Sequence, residues 1–261
     1  MIIQTILFLV LLYLLLVLRL YLTQDRKIFH PELAPKEIKL PKNAKKIYYK
    51  TSDGITLEGA FLKNRETNPL VLYFGGNANN ALMFLDIAQN IKDFNFLVFN
   101  YRGYANSTGK PSQKAIFKDA LEIYDNFAKN KEVYIVGRSL GSSVAAYLAS
   151  RRKSKGVLLI TPFDSILAMA KEKYPYLPVS LILKHPFETC KYVQNIDEPI
   201  AVIEAHNDEV IPDIHIENLK KNIKNLVFDK VIHDTTHNNI LINPDFLIIL
   251  KDALKTLRSE T

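Results

Sequence analysis

No part of this chain constrains its fold more than the stretch from Val133 to Arg151. A short β-branched and aromatic run, Val133-Tyr134-Ile135-Val136, leads into Gly137-Arg138-Ser139-Leu140-Gly141, and an apolar segment rich in alanine and leucine follows. The pattern predicts a strand, a tight turn and a helix. G-x-S-x-G at such a junction is the pattern of a nucleophile elbow, in which side chains two residues either side of the serine would collide as the helix folds back on the strand. Ser139 is then expected in a strained backbone conformation with its hydroxyl presented. The first amides of the new helix face the place where an oxyanion would form. Five residues match by chance often enough. It is the strand before and the helix after that give the pattern meaning.

The rest of the chain keeps the same rhythm. Lys46–Lys63 holds two alternating runs around Asp53-Gly54, a predicted β-hairpin. Leu70–Phe74, Phe96–Asn100, Gly156–Pro162, Ile200–Glu204 and Leu226–Ile232 are short apolar runs that predict further strands, most of them buried on both faces. Between them, helical spacing of apolar residues predicts helices over 81–91, around Ile116–Phe127 and over Phe246–Leu257. Strands alternating with helices predict an α/β fold, a mostly parallel twisted sheet with helices on both faces. Residues 164–196 break the rhythm with aromatic residues, Met169 and three prolines. They are read either as a helical cap-like insertion or as a peripheral packing segment.

The N-terminus is of another kind. Ile6 to Leu18 is an unbroken hydrophobic run, and the span from Ile2 to Leu22 reaches the ~20 residues that a bilayer core requires. A run apolar on every face argues against a buried helix of a water-soluble protein. A cleaved signal would want basic residues before it and small residues at a cleavage site. A retained membrane anchor over 1–22 is therefore expected, followed by a basic, proline-containing linker over 23–45 and a globular domain over 46–261. Eight basic and three acidic residues lie between 19 and 46, so most of the net charge of +7 sits beside the anchor. This predicts a cytoplasmic globular part, with the exported orientation as the alternative. The nearly neutral remainder gives no basic strip for nucleic acid. The single cysteine, Cys190, excludes an intrachain disulfide and reads as a half-buried thiol.

A serine hydroxyl needs an imidazole to take its proton and a carboxylate to orient that imidazole. Of six histidines, His237 lies in the loop after the last strand and before the last helix, and it is the candidate base. Asp208, in the loop after Ile200–Glu204, is the candidate acid, with Glu209 and Asp164 as rivals. Two backbone donors would complete the site: the amide of Leu140 and one from the loop after Phe74, assigned to Asn77.

These separated motifs together resemble the α/β-hydrolase superfamily from about Tyr48 to Leu257. The matching residues are Tyr73-Phe74-Gly75-Gly76-Asn77-Ala78, Asn100-Tyr101-Arg102-Gly103-Tyr104 with Ser107, Gly109, Lys110, Pro111 and Ser112, the elbow, Asp208-Glu209-Val210-Ile211-Pro212, and His237-Asn238. More narrowly, the chain resembles membrane-anchored hydrolase-domain proteins grouped with serine aminopeptidase-like hydrolases and protein depalmitoylases. It departs from that pattern where Gly75-Gly76 replaces a histidine-glycine pair, which is expected to loosen the oxyanion loop. Ser142 replaces a glycine after the elbow, and Glu204-Ala205 replaces a histidine-glycine pair before the acid loop.

The expectation is a membrane-tethered serine hydrolase that forms an acyl-enzyme and uses neither metal nor organic cofactor. Its expected partners are a small-molecule, lipid or acyl-protein substrate and the membrane itself. Carboxylic esters or thioesters at the membrane are the expected substrates, with a peptidase as the enzymatic alternative and a non-catalytic hydrolase-fold binding module as the other. A third reading, an interaction protein acting through its basic linker, would make the charges at 36–46 matter and Ser139 dispensable. The residues leave acyl length, leaving group and oligomeric state open.

Overall fold

The computed structural model describes residues 1–260 and shows one eight-stranded sheet. In chain order the strands are β1 (Ala44–Lys50), β2 (Thr56–Leu62), β3 (Leu70–Phe74), β4 (Asn95–Phe99), β5 (Val133–Arg138), β6 (Gly156–Ile160), β7 (Ile200–Ala205) and β8 (Leu226–Ile232). Their order across the sheet is β1-β2-β4-β3-β5-β6-β7-β8. The first two form the predicted hairpin, closing at Lys50 opposite Thr56, and β2 runs antiparallel to β4; all later pairs are parallel. Strands β3 to β6 are buried along their whole length, as apolar runs covered on both faces must be. The outer strand β1 carries Lys45, Lys46 and Lys50, charges that discourage edge-to-edge pairing.

Successive side chains alternate between two cores. Leu70, Leu72 and Phe74 enter one, while Val71 and Tyr73 enter the other. The first core is roofed by α4 (Gln113–Phe127), α5 (Leu140–Ala149), α8 (Thr189–Val193) and α9 (Asp213–Lys220). The second is covered by α3 (Leu85–Ala88) and α10 (Phe246–Ser259). Ser112 starts α4 by accepting the Ala115 amide at 3.2 Å. Burial of Ile116, Ala120, Ile123 and Tyr124 fixes its apolar face. The helix expected over 81–91 is shorter than its pattern. A 3₁₀ turn capped by Asn80 leads into α3, and the chain leaves the helix at Gln89 to reach β4.

Residues 164–196 are largely helical, with α6 (Ile166–Lys173) and α7 (Val179–Ile182) lining the cavity that also reaches Ser139, and α8 joining the helical layer. Cys190 is half-buried, and burial pushes its thiol up to about 11. The helix α1 (Ile2–Thr23) buries none of its side chains and is long and apolar enough to cross a membrane.

The stretch expected to be a basic linker, 23–45, packs in part against the domain. The short helix α2 (Asp25–Ile28) follows α1 directly, and Ile28, Phe29 and Ala34 are buried in the first core. The apolar side chains spaced among the charges provide the reason: they bury against the domain while Lys36 and Lys39 stay in solvent.

At the far edge, Lys220 reaches Glu204 on β7 at 2.6 Å and Asp229 on β8 at 3.0 Å. Burial raises the Glu204 carboxyl from its ordinary 4.5 to about 7. A raised carboxyl pKa means that the folded state holds a proton the unfolded chain has released. Stability should therefore fall as pH rises from about 4.5 to about 7. Glu204→Gln, neutral throughout, is expected to flatten that decline in Tm. Thermal unfolding of both proteins across the window checks it, and parallel slopes would refute the assignment.

Candidate active site

The elbow forms because two glycines let backbone meet backbone. A Cβ on Gly137 would strike the Gly141 carbonyl and Ala145, and one on Gly141 would strike the carbonyls of Phe74 and Gly75. Between them Ser139 takes φ 51° and ψ −120°, a left-handed conformation that a side chain occupies only under constraint. Its amide is tied to Ile160 on the neighbouring strand at 2.9 Å, and its carbonyl accepts from the Ser142 amide (2.8 Å) and hydroxyl (2.6 Å). Ser142, where the resemblance leads one to expect glycine, thus braces the elbow.

Two loops at the carboxyl edge of the parallel strands reach toward this serine. His237 follows β8, and its Nε2 lies 2.8 Å from Ser139 Oγ. Asp208 follows β7, and its Oδ2 lies 2.7 Å from His237 Nδ1. The other carboxylate oxygen, Oδ1, accepts the amides of Val210 (2.9 Å) and Ile211 (2.7 Å), so the carboxylate is held on both sides. The Asp208 side chain is fully buried and that of His237 nearly so. Acceptance by Asp208 at Nδ1 fixes the tautomer in which Nε2 is free to take a proton from Ser139.

The rival carboxylates are occupied otherwise. Glu209 accepts the His237 amide at 2.9 Å and the Asn238 side chain at 3.1 Å, holding the histidine loop rather than the ring. Asp164 faces His215 Nδ1 at 2.9 Å, and the Nε2 of that histidine faces Glu172 at 2.9 Å.

Leu140 opens α5, and both it and Asn77 line the cavity in front of Ser139. Asn77 is held on three sides: its carbonyl accepts the Tyr104 hydroxyl (2.9 Å) and the His30 amide (3.1 Å), and its side chain donates to the Ile28 carbonyl (3.0 Å). The neighbouring Gly75 carbonyl accepts the Tyr101 hydroxyl at 2.7 Å. The loop expected to be loosened by Gly75-Gly76 is therefore pinned by the two tyrosines of Asn100-Tyr101-Arg102-Gly103-Tyr104. Burial raises both phenols well above their ordinary range, which keeps them neutral donors.

Sequence reasoning passed over Arg138, a variable position of the elbow pattern. Its buried guanidinium donates to the His237 carbonyl at 2.7 Å and, with the Asn79 amide turned to suit its neighbours, to Asn79 at 3.0 Å. Among the described residues no acidic side chain forms an ion pair with it, and burial lowers its pKa. Nothing in the local pattern foretells this partner, which lies 99 residues along the chain.

The cavity beside Ser139 holds about 570 Å³, within the usual range for small-molecule sites. Phe163, Ile166, Met169, Leu177, Val179 and Leu183 make most of it apolar.

This sheet order, with the elbow and the site at the carboxyl edge, is that of the α/β-hydrolase fold. Residues 69–179 match the family described as alpha/beta hydrolase fold. An uncharacterised membrane protein of Saccharomyces cerevisiae is 28% identical over 220 residues, 78% of this chain and 77% of the yeast protein. Lysophosphatidylserine lipase ABHD12 of Danio rerio is 28% identical over 174 residues, 57% of this chain and 45% of the lipase. Among solved structures, an esterase of Pyrococcus furiosus superposes with a TM-score of 0.65 over 87% of this chain and 97% of its own, at 17% identity. That likeness is one of fold.

Because a Cβ on Gly141 meets backbone rather than a movable side chain, Gly141→Ala is expected to cost about 1–3 kcal/mol or more. Thermal unfolding of the full chain checks it; an unchanged Tm would mean that strand and helix are not in this contact.

Proposed function

We propose that this protein is a membrane-anchored serine hydrolase that cleaves carboxylic esters or thioesters of apolar acyl groups. The observation that carries the reading is the row Ser139–His237–Asp208, with gaps of 2.8 and 2.7 Å, at the mouth of an apolar cavity. Ser139 attacks the acyl carbonyl while His237 Nε2 takes the hydroxyl proton, and the buried Asp208 carboxylate stabilises the imidazolium. The oxyanion meets the amides of Leu140 and Asn77, each such donor contributing about 3–4 kcal/mol in the transition state. The imidazolium returns its proton to the leaving oxygen or sulfur, and water releases the acyl group by the same steps in reverse order.

Acyl esters suit the cavity because its walls are hydrocarbon and its polar groups gather at the serine. The lipase among the relatives supports the same substrate class, and α1 supplies the membrane attachment. An aminopeptidase would need a free carboxylate in the cavity to receive a substrate amine. Glu172 is the acid that lines it, and its carboxylate is taken up by His215.

A fluorophosphonate probe is expected to label the wild-type protein and not Ser139→Ala. Asp208→Asn is expected to lower kcat for a p-nitrophenyl ester by about 10³–10⁴-fold, since the amide no longer favours the reactive tautomer. Folded wild-type protein that takes up no probe would refute the reading.

A further inference from the structure

We infer that residues 174–183 of the cap lie in the same bilayer leaflet as the C-terminal half of α1. The cavity before Ser139 then opens sideways into lipid and takes its acyl substrate from the leaflet. This rests on the proposed reading of α1 as a membrane span.

The cap runs along the side of α1 instead of standing off from it. The Tyr13 hydroxyl donates to the Tyr176 carbonyl at 3.1 Å. One end of the Gln24 side chain donates to the Ile182 carbonyl at 3.0 Å, and the other accepts the Lys184 amide at 2.7 Å. Lys184 also sits 4.2 Å from the centre of the Tyr21 ring. Ten helical residues separate Tyr13 from Thr23, a rise of about 15 Å. With Thr23 at the lipid surface, Tyr176 lies roughly that far beneath it, against a hydrocarbon core of about 30 Å.

The chemistry of the segment suits that depth. Tyr176 and Leu181 are 89% and 86% exposed, and they stand next to a helix whose own apolar surface is uncovered. Single exposed apolar residues are ordinary on a water-facing surface; their place alongside a span is what distinguishes these. Lys171, Lys173 and Lys184 flank the segment, with stems long enough to carry their charges back to the headgroups. Backbone in lipid must satisfy its own polar groups. Here Pro175 and Pro178 lack amide hydrogens, and the amides from Leu181 to Lys184 are all donated within the cap or to Gln24.

The cavity completes the picture. One wall is Leu20, Gln24 and Ile28 from α1 and α2, and the facing wall is Leu177, Val179 and Ile182 from the cap. The seam between anchor and cap is therefore the substrate route. A lipid enters it tail first without crossing water.

Single-cysteine variants made in a Cys190→Ser background test this. Leu181→Cys, Tyr176→Cys and, as control, the exposed Ile248→Cys on α10 are each labelled with an environment-sensitive fluorophore. The full chain is placed in phosphatidylcholine vesicles containing lipid with a nitroxide midway along one acyl chain. Emission at 181 and 176 is expected to shift to the blue and be quenched while emission at 248 is not; quenching no greater than at 248 overturns the inference. In parallel, Leu181→Asp is expected to lose roughly tenfold or more of the turnover of a long-chain p-nitrophenyl ester dissolved in the vesicles. Turnover of aqueous p-nitrophenyl acetate is expected to stay unchanged, which also shows that the variant is folded. Equal loss or no loss on both esters overturns the route. If the wild type cleaves neither ester, the hydrolase reading fails while the quenching still decides where the cap lies. Cleavage without quenching overturns the present inference and leaves the hydrolase reading standing.

Discussion

The contact between Gly141 and the carbonyls that end β3 is the constraint from which the site follows. It brings α5 down onto the sheet so closely that the turn between β5 and α5 has one conformation available, with Ser139 at φ 51°. Parallel pairing then does the rest. Because β5, β6, β7 and β8 all run the same way, the loops after them open on the same edge. His237 and Asp208 reach the serine from that edge without any long excursion of the chain. The strain at Ser139 is held by bonds to its own backbone: the Ile160 carbonyl on one side and Ser142 on the other.

A second dependence ties the site to the N-terminal segment. Asn77 is fixed by Ile28, His30 and Tyr104, and residues 182–185 are fixed by Gln24 and by the contact of His185 with Asp25 at 3.0 Å. The seven residues from Gln24 to His30 thus touch both the loop that would hold an oxyanion and the helices that roof the cavity. What reads as a spacer after the apolar helix is packed into the domain. Side chains buried at Ile28 and Phe29 keep it there.

Much of this was legible in the chain itself. Apolar runs bounded by turn residues marked the strands, and the hairpin around Asp53-Gly54 lies where its turn chemistry put it. Ser139, Asp208 and His237 were each legible as loop residues following strands, and the structure brings all three together. Asp164, a fair rival by position, is set apart by its histidine partner, His215, and no pattern along the chain states partners. Arg138 was illegible for the same reason: its role is a bond to the His237 carbonyl. The effect of Gly75-Gly76 was misjudged because looseness was inferred from missing side chains, whereas the loop is held by hydroxyls of another strand's loop.

Local chemistry along the chain determined the elements, the strained serine and the long apolar helix, since hydrophobic period, glycine freedom and proline placement act within a few residues. Which carboxylate faces the histidine, what pins the loop after β3, and how α1 and residues 163–183 together line the cavity were decided only in three dimensions. Those are hydrogen bonds and apolar contacts between groups tens to more than a hundred residues apart, and their partners exist only once the sheet has closed.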